Sequence, residues 1–277
     1  MIRLLAIDID GTLLDSRGTL PDVHREAVAA AVDRGIAVAL VTGRSFHFTG
    51  QVVEALGVPV TVIANNGAVV KDRRGETVLK HVLRTEAARH LLAATRAYEQ
   101  HVAIVFDRTD HRQIVFEHMD WTHPNRRGYY ARNKAFIAEA VPLAGALTED
   151  PIQLMFNGGV APMRRLASEL RAMTIADQFS VSLTEYVPRD FSLLDINAAG
   201  CTKGSTLRQW AEVNAIDREA VMAVGDNLND VEMLTFAGRA ILMGNAAPEL
   251  KARGFALTGS NDEGGLASAI YAALAEK

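Results

Sequence analysis

Apolar and polar positions alternate in a regular way through the first part of the chain. Three largely apolar runs, which predict buried strands, cover residues 2–7, 36–41 and 60–64. Two segments between them have apolar side chains at helical spacing and are followed by glycine, and they cover residues 21–34 and 45–56. Strands that alternate with helices predict β-α-β units and therefore a parallel sheet with helices on both faces.

The same alternation returns in the last part of the chain. Predicted helices there cover residues 202–214, 227–237 and 264–275, and predicted strands cover 221–224, 240–243 and 255–258. We therefore expect the first and last parts to build one doubly wound, mostly parallel α/β sheet.

The middle of the chain has a different order of elements. Helices are predicted over residues 86–100 and 162–173, strands over 102–106, 113–116, 152–156 and 179–183, and a polar, aromatic stretch over 117–132. This order predicts a separate, small α/β domain inserted into the parent sheet. The predicted organisation is a core of residues 1–84 plus 189–277 and an inserted domain of residues 85–188.

Composition excludes several classes of protein. The formal net charge is −4 and lysines and arginines form no run longer than a pair, which argues against nucleic-acid partners and a membrane-surface patch. No apolar run approaches the ~18 residues that a membrane helix needs. The apolar start is broken by Asp8, so no signal peptide is expected, and the single cysteine, Cys201, suits a reducing compartment. We expect a cytoplasmic protein.

Two aspartates, Asp8 and Asp10, follow the first predicted strand directly. Ligands of open α/β sheets bind at the carboxyl ends of the strands, and alternate residues of an extended segment face the same way. Both carboxylates are therefore expected to face a site. The alternative is a plain strand that ends in an Asp-Gly turn.

Two further segments suit an anion. Residues 42–44, Thr-Gly-Arg, lie between a strand and a helix, where a hydroxyl and free backbone N–H groups form an anion cradle; an ordinary turn is the alternative. Lys203 opens a predicted helix, at the end that disfavours cations. This position indicates negative charge nearby, unless Lys203 is simply a solvated surface residue.

A polar loop follows the predicted strand 221–224. Its two carboxylates and two amides are Asp226, Asn227, Asn229 and Asp230. Such an oxygen-rich cluster suits a hard cation such as Mg²⁺. The alternative is a helix N-cap with acidic residues in the first turn.

Taken together and in this order, the four segments resemble the motifs of haloacid dehalogenase superfamily phosphatases. The insertion of about one hundred residues between the second and third segments resembles the α/β cap of the Cof-like subfamily (type IIB). Residues 65–68, 243–246 and 260–264 are also similar to that subfamily. The resemblance covers nearly the whole chain, although within the insertion it rests only on size and position.

The resemblance implies a mechanism. Asp8 would be the nucleophile and form an aspartyl-phosphate, and Asp10 would be the general acid and base. Mg²⁺ would be bound by Asp8, the backbone carbonyl of Asp10 and Asp226, with Asp230 behind them. The phosphate would be held by the backbone of Ile9 and by Thr42, Gly43, Lys203 and Asn229.

The expected function is Mg²⁺-dependent hydrolysis of a small-molecule phosphate ester, such as a sugar phosphate. A phosphosugar mutase, or a phospho-acceptor regulatory protein without turnover, remains open. Candidate substrate contacts are Arg44, Arg126, Arg127, Tyr129 and Arg132. For the last four, a solvated loop with a few core aromatics is the alternative. The sequence gives no indication of the oligomeric state.

Overall fold

Two separate sheets, each with its own helices and core, divide the structure into two units. The computed structural model describes residues 1–109 and 112–276. One unit comprises residues 1–79 and 202–277, and the other comprises residues 80–201.

The first 80 residues contain five strands and two helices. The strands are β1 (Leu4–Ile7), β2 (Ala37–Val41), β3 (Thr61–Ala64), β4 (Val69–Lys71) and β5 (Thr77–Lys80). The helices are α1 (Asp22–Asp33) and α2 (Gly50–Leu56). Helix α1 has the predicted extent, whereas α2 begins only at Gly50, after a 3₁₀ turn over Phe46–Thr49.

Over the residues described between 80 and 201, the second unit is a six-stranded sheet with three helices. The helices are α3 (Thr85–Ala94), α4 (Pro124–Asn133) and α5 (Val160–Arg171). The strands are β6 (Val102–Val105), β7 (Ile114–Phe116), β8 (Ile137–Glu139), β9 (Gln153–Gly158), β10 (Phe179–Tyr186) and β11 (Phe191–Ala198). They are ordered β10-β11-β9-β6-β7-β8, and all neighbours are antiparallel except β7 and β8.

The last part of the chain completes the first unit. Its helices are α6 (Lys203–Val213), α7 (Val231–Phe236), α8 (Pro248–Lys251) and α9 (Gly265–Ala275). Its strands are β12 (Val221–Gly225), β13 (Arg239–Leu242) and β14 (Ala256–Leu257).

The eight-stranded sheet of the first unit has the order β14-β13-β12-β1-β2-β3-β4-β5. Strands β14 to β3 run parallel to one another, and β4 is antiparallel to β3. Strand β1 therefore lies in the interior, between β2 from the beginning of the chain and β12 from its end.

Helices cover both faces of this sheet. Leu4 and Ala6 of β1 belong to a core that includes Leu207 of α6 and Met233 of α7. The intervening Leu5 faces the other way and lines a small gap together with Ala31 of α1 and Ile270 of α9. Alternate residues of a strand point to opposite faces of the sheet. Because helices cover both faces here, all four residues of β1 are apolar and buried. The predicted doubly wound α/β core is confirmed.

The boundaries of the inserted unit differ from the predicted 85 and 188. The unit begins at Lys80 and ends at Cys201, because strand β11 pairs along its whole length with β10 and also with β9. Residues 189–201 therefore belong to the insertion and not to the core. The sequence analysis identified no strand in this stretch.

The insertion contains further differences, among them strand β8, which was not predicted. The predicted helix over 86–100 ends at Ala94 and is followed by a 3₁₀ segment over Arg96–His101. The polar stretch of 117–132, predicted without regular structure, contains most of α4, which begins at Pro124 with His123 as its N-cap. Within the residues that the structure describes, no helix combines the length and hydropathy needed to cross a bilayer.

Close packing of α6 against α7 predicts the effect of a single methyl group. A Cβ at Gly204 would lie 2.5 Å from the carbonyl carbon of Glu232 and 2.7 Å from its oxygen, both backbone atoms that a rotamer change cannot move. We expect Gly204→Ala to lower the free energy of unfolding by about 2 kcal/mol. The measurement is urea denaturation monitored by circular dichroism.

Gly50, the first residue of α2, is the matched control, because nothing lies within 4 Å of its added Cβ. We expect Gly50→Ala to leave the stability unchanged or to raise it by about 0.5 kcal/mol. Equal effects of the two substitutions would contradict the packing argument.

Candidate active site

Polar residues directly follow the ends of three neighbouring strands of the sheet. Asp8 follows β1, Thr42 follows β2 and Asp226 follows β12. The strands are parallel, and Ile7 is level with both Leu40 and Val224. The three residues therefore lie at the same edge of the sheet, the edge where open α/β proteins bind ligands.

Lys203 lies at the centre of this edge. Its ammonium group donates to Asp8 Oδ1 at 2.5 Å and to Asp230 Oδ1 at 2.7 Å, and its side chain is only 1% exposed. Helix α6 begins at this lysine, and Thr202 caps the helix through a hydrogen bond from the Ser205 N–H. The two carboxylates explain why a cation is tolerated at a helix N-terminus.

Asp230 joins the ammonium group to the backbone of the β12 loop. Its other oxygen, Oδ2, accepts from the N–H groups of Asp226 at 2.9 Å and Asn227 at 3.0 Å. The preceding Gly225 makes room for this carboxylate, since a Cβ there would lie 2.7 Å from Asp230 Oδ2. Asp230 is fully buried, and hydrogen bonds satisfy both of its oxygens.

Asp226 is held from two sides. Thr12 Oγ1 donates to its Oδ1 at 3.3 Å, and Asn245 Nδ2 donates to its Oδ2 at 3.3 Å. Asn245 also donates to the carbonyl of Gly11 at 2.8 Å, which connects Asp226 to the turn after β1. Gly11 has φ +84°, and a Cβ there would lie 2.2 Å from Asp226 Oδ2, so the position requires glycine.

The carboxylates of Asp8, Asp226 and Asp230 form a group that fits a divalent cation. One oxygen from each lies within 4.8 Å of the others, and among the described residues this is the group found to suit a metal ion. The ammonium group of Lys203 pairs with two of these carboxylates, Asp8 and Asp230, so ionisation of all three would leave an excess of negative charge. An oxygen-only donor set of this kind suits Mg²⁺.

The pKa values of the cluster are shifted first by burial and then by the neighbouring charges. Burial raises the pKa of Asp8 to about 8, against the opposing effect of Lys203, with Asp230 and Asp10 adding to the rise. Burial, followed by the charges of Asp8 and Asp230, raises the pKa of Asp226 well above its usual range. Burial lowers the pKa of Lys203, but the two carboxylates outweigh this effect and the net change is a rise. A bound divalent cation would stabilise both aspartates in the ionised form.

Asp10 makes a bidentate ion pair with Arg44. Arg44 Nε donates to Oδ2 at 2.7 Å and Nη2 donates to Oδ1 at 2.6 Å. The backbone N–H of Arg44 also donates to Thr42 Oγ1 at 3.1 Å. The guanidinium group, a predicted substrate contact, thus holds the second aspartate of the first motif.

The predicted phosphate-binding residues surround the same edge of the sheet. Thr42 and Ile9 are buried, and the carbonyl of Ile9 accepts from Leu13 N–H at 3.1 Å. Asn229 Nδ2 donates to Asn66 Oδ1 at 2.9 Å. The side-chain amide of Asn66 in turn lies 3.3 Å from the point where a Cβ of Gly43 would be.

The remaining substrate candidates belong to the other unit and have different environments there. Arg126 is 8% exposed, and its guanidinium group donates to Asn157 Oδ1 at 2.5 Å and contacts His101 Nδ1 at 3.1 Å. It therefore serves the interior of that unit. The ring of Tyr129 stacks on Trp121 at 6.4 Å, in line with the aromatic-core alternative, whereas Arg127 and Arg132 are exposed.

Sequence reasoning predicted no specific contact for Asn66 or Asn245, although it interpreted residues 65–67 as a turn first and as an element at the edge of the site second. Both stand in segments singled out only by resemblance, residues 65–68 and 243–246. Both segments adjoin the end of a predicted strand, but neither contains a charged side chain that would indicate a site. Two amides far apart in sequence give no spacing from which a shared site could be inferred.

Comparisons with known proteins agree with this geometry. A family model described as haloacid dehalogenase-like hydrolase matches residues 5–270. The chain is 27% identical to the 5-amino-6-(5-phospho-D-ribitylamino)uracil phosphatase of Bacillus subtilis, over 96% of each chain. It is 29% identical to the pyridoxal phosphate phosphatase of Escherichia coli, over 98% of each chain. A solved haloacid dehalogenase-like hydrolase from Bacteroides thetaiotaomicron superimposes with a TM-score of 0.79 at 25% identity, covering 99% of this chain and 100% of that one.

The buried ammonium group of Lys203 predicts a large loss of stability when it is removed. Lys203→Met would leave two carboxylates buried without a counter-charge, and we expect the free energy of unfolding at pH 7.5 to fall by about 3–5 kcal/mol. The measurement is urea denaturation monitored by circular dichroism.

Lys80→Met provides the comparison. The ammonium group of Lys80 is 3.7 Å from Asp107 and its side chain is 36% exposed, so the expected loss is about 0.5 kcal/mol. If both substitutions cost the same, the Lys203 pair does not carry the stability assigned to it.

Proposed function

Because the chain belongs to the haloacid dehalogenase-like hydrolase family, as one of its phosphatases, we propose that it hydrolyses a small-molecule phosphomonoester through a phosphorylated Asp8. The observation that carries this proposal is the environment of Asp8. Its carboxylate ends the central strand β1, touches Lys203 at 2.5 Å and shares a metal-sized cluster with Asp226 and Asp230.

In the first step, an oxygen of the Asp8 carboxylate attacks phosphorus and the ester P–O bond breaks. Asp10 gives a proton to the leaving oxygen, so that an alcohol departs and an aspartyl-phosphate remains. Asp8 suits the role of nucleophile because the strand end fixes its position and Lys203 orients one of its oxygens.

In the second step, water attacks phosphorus and gives a proton to Asp10. The bond between Asp8 and phosphorus breaks, inorganic phosphate leaves and Asp8 is regenerated. The two hydrogen bonds from Arg44 fix the orientation of the Asp10 carboxylate.

The phosphoryl oxygens would be held by Lys203, the Thr42 hydroxyl, the Gly43 N–H, the amide of Asn229 and the backbone of Ile9. Four of these residues follow the ends of β1, β2 and β12, and Lys203 begins α6 beside them, which supports this assignment. Donors that are fixed before the substrate arrives stabilise the charge that spreads over the phosphoryl oxygens in the transition state.

Mg²⁺ would be held by Asp8, the Asp10 carbonyl and Asp226. Asp230 would lie behind these ligands and orient Lys203 and the loop that follows β12. When bound, the ion would neutralise negative charge between the carboxylates and the phosphoryl group. The excess of carboxylates over cations in the cluster supports this assignment.

The substrate that we propose is a soluble phosphorylated metabolite such as a sugar phosphate. Relatives that match over nearly their whole length are named as phosphatases of small phosphorylated metabolites, which supports this class. Release of inorganic phosphate from a panel of such compounds tests the proposal directly.

Substitution of Asp8 and of Asp10 distinguishes the role of the nucleophile from that of the general acid. We expect Asp8→Asn to abolish turnover for every ester, because the amide does not form the phosphoryl-enzyme. Asp10→Asn should slow alkyl phosphates by about 10²–10⁴-fold but p-nitrophenyl phosphate far less, since nitrophenolate leaves without a proton.

The measurement is kcat for an alkyl ester and for p-nitrophenyl phosphate, in wild type and in both variants. Asp262→Asn, in which an exposed carboxylate is changed, is the control and should behave as wild type. Residual turnover of more than a few per cent in Asp8→Asn, or an equal loss for both esters in Asp10→Asn, would contradict the assignment.

Metal dependence gives a further expectation. After chelation the enzyme should be inactive, and Mg²⁺ should restore it while Ca²⁺ does not, because Ca²⁺ takes more oxygen ligands at longer distances. Asp226→Asn should raise the Mg²⁺ concentration for half-maximal activity at least tenfold, whereas Asp262→Asn should leave it unchanged. Full activity after exhaustive chelation, or with Ca²⁺ alone, would refute the proposal.

A further inference from the structure

Residues 65–67, Asn-Asn-Gly, adopt an unusual backbone conformation beside the site. All three have positive φ, at 50°, 53° and 103°. Glycine reaches this region freely, but other residues rarely do, and asparagine is among the least unfavourable of them. Two successive non-glycine residues in this conformation indicate a segment that its surroundings force into shape.

The segment is attached to the loop after β2. The N–H of Asn65 donates to the Arg44 carbonyl at 2.9 Å, and the N–H of Asn66 donates to the Thr42 carbonyl at 2.9 Å. The backbone that presents Thr42 and Gly43 is therefore fixed from behind by the asparagine segment.

The other end of the segment is attached to the start of α6. Thr206 Oγ1 donates to the Gly67 carbonyl at 2.9 Å, and a Cβ on Gly67 would lie 2.4 Å from the Thr202 carbonyl. This is the first turn of the helix that carries Lys203.

Asn66 completes the set of contacts through its side chain. It is fully buried, and its Oδ1 accepts a hydrogen bond from Asn229 Nδ2 at 2.9 Å. The amide of Asn229 has a second N–H on the same nitrogen, whereas its Oδ1 is buried without a partner among the described residues. Reversal of the Asn229 amide would bring its oxygen against the oxygen of Asn66, so Asn66 fixes which end of Asn229 acts as donor.

We infer that Asn66 is a positioning residue for phosphate binding, which orients the Asn229 amide as a donor and supports the backbone of Gly43. This inference rests on the proposed function, in which Gly43 and Asn229 contact the phosphoryl group. The residue acts through these two neighbours and takes no part in bond making or breaking.

The test uses Asn66→Gly in the full-length protein. Glycine adopts the positive φ more readily than asparagine, so the variant keeps its fold while it loses the amide. For p-nitrophenyl phosphate we expect KM to rise about tenfold, as does the inhibition constant of inorganic phosphate, and kcat to change less than threefold. The melting temperature should not fall.

A double-mutant cycle with Asn229→Ala identifies the partner. If Asn66 acts largely through Asn229, Asn66→Gly should add less than twofold to the KM of Asn229→Ala. Asn65→Gly is the matched control, because it places glycine at the positive φ one residue earlier. The described hydrogen bonds of Asn65 do not include Asn229, so this variant should leave KM within twofold of wild type.

Several results would overturn the inference alone. These are wild-type turnover combined with an unchanged KM in Asn66→Gly, effects of the two substitutions that multiply in the cycle, or a lower melting temperature with an unchanged KM. A wild-type protein that neither releases nor binds phosphate would instead overturn the proposed function, and the inference with it.

Discussion

An ammonium group buried between two carboxylates tolerates little displacement of any of its partners. Lys203 comes from the start of α6, Asp8 from the end of β1 and Asp230 from the loop after β12, and the three meet with both N–O distances below 3 Å. A shift of any one of them would leave a buried charge without its partner, at a cost of several kcal/mol. The strand order β12-β1-β2 and the close approach of α6 to α7 at Gly204 are the features that hold these elements in place.

The two aspartates of the first motif have contrasting environments. The side chain of Asp8 is 7% exposed and has Lys203 as its partner, whereas the side chain of Asp10 is 35% exposed and pairs with Arg44. A nucleophile benefits from a fixed position, and a residue that exchanges protons with water benefits from access to solvent. In the proposed mechanism, two identical side chains two residues apart would thus obtain different roles from the different depth at which they lie.

Much of the core fold was predictable because its signals are local. Strands β1, β2, β3 and β12 are apolar on both faces, and helices with an apolar stripe separate them, so periodicity was sufficient. Strand β11 was missed although its side chains are largely buried, because its sequence Phe-Ser-Leu-Leu-Asp-Ile-Asn-Ala mixes polar residues with apolar ones. Its polar residues, among them Asp195 and Asn197, are buried too, and periodicity alone does not predict buried polar residues.

In the candidate site, too, local sequence signals predict some residues and fail to predict others. Residues that stand directly after a strand could be assigned from sequence, as in the case of Asp8 and Asp226. Partners that depend on tertiary packing could not: the ion pair of Arg44 with Asp10 and the amide contact of Asn66 with Asn229 join positions 34 and 163 residues apart. Arg126 illustrates the converse, since an arginine in a polar stretch suggests a ligand contact, yet the folded unit uses it internally.

The position of β1 within the sheet has a consequence for biosynthesis. One neighbour, β2, follows within about thirty residues, but the other, β12, begins only at Val221. During synthesis, β1 therefore has an open, apolar edge until nearly four fifths of the chain has been made, by which point all strands of the sheet of residues 80–201 have been synthesised. An edge of this kind can pair with other chains, so the interval between synthesis of β2 and of β12 is the period in which β1 is exposed to aggregation.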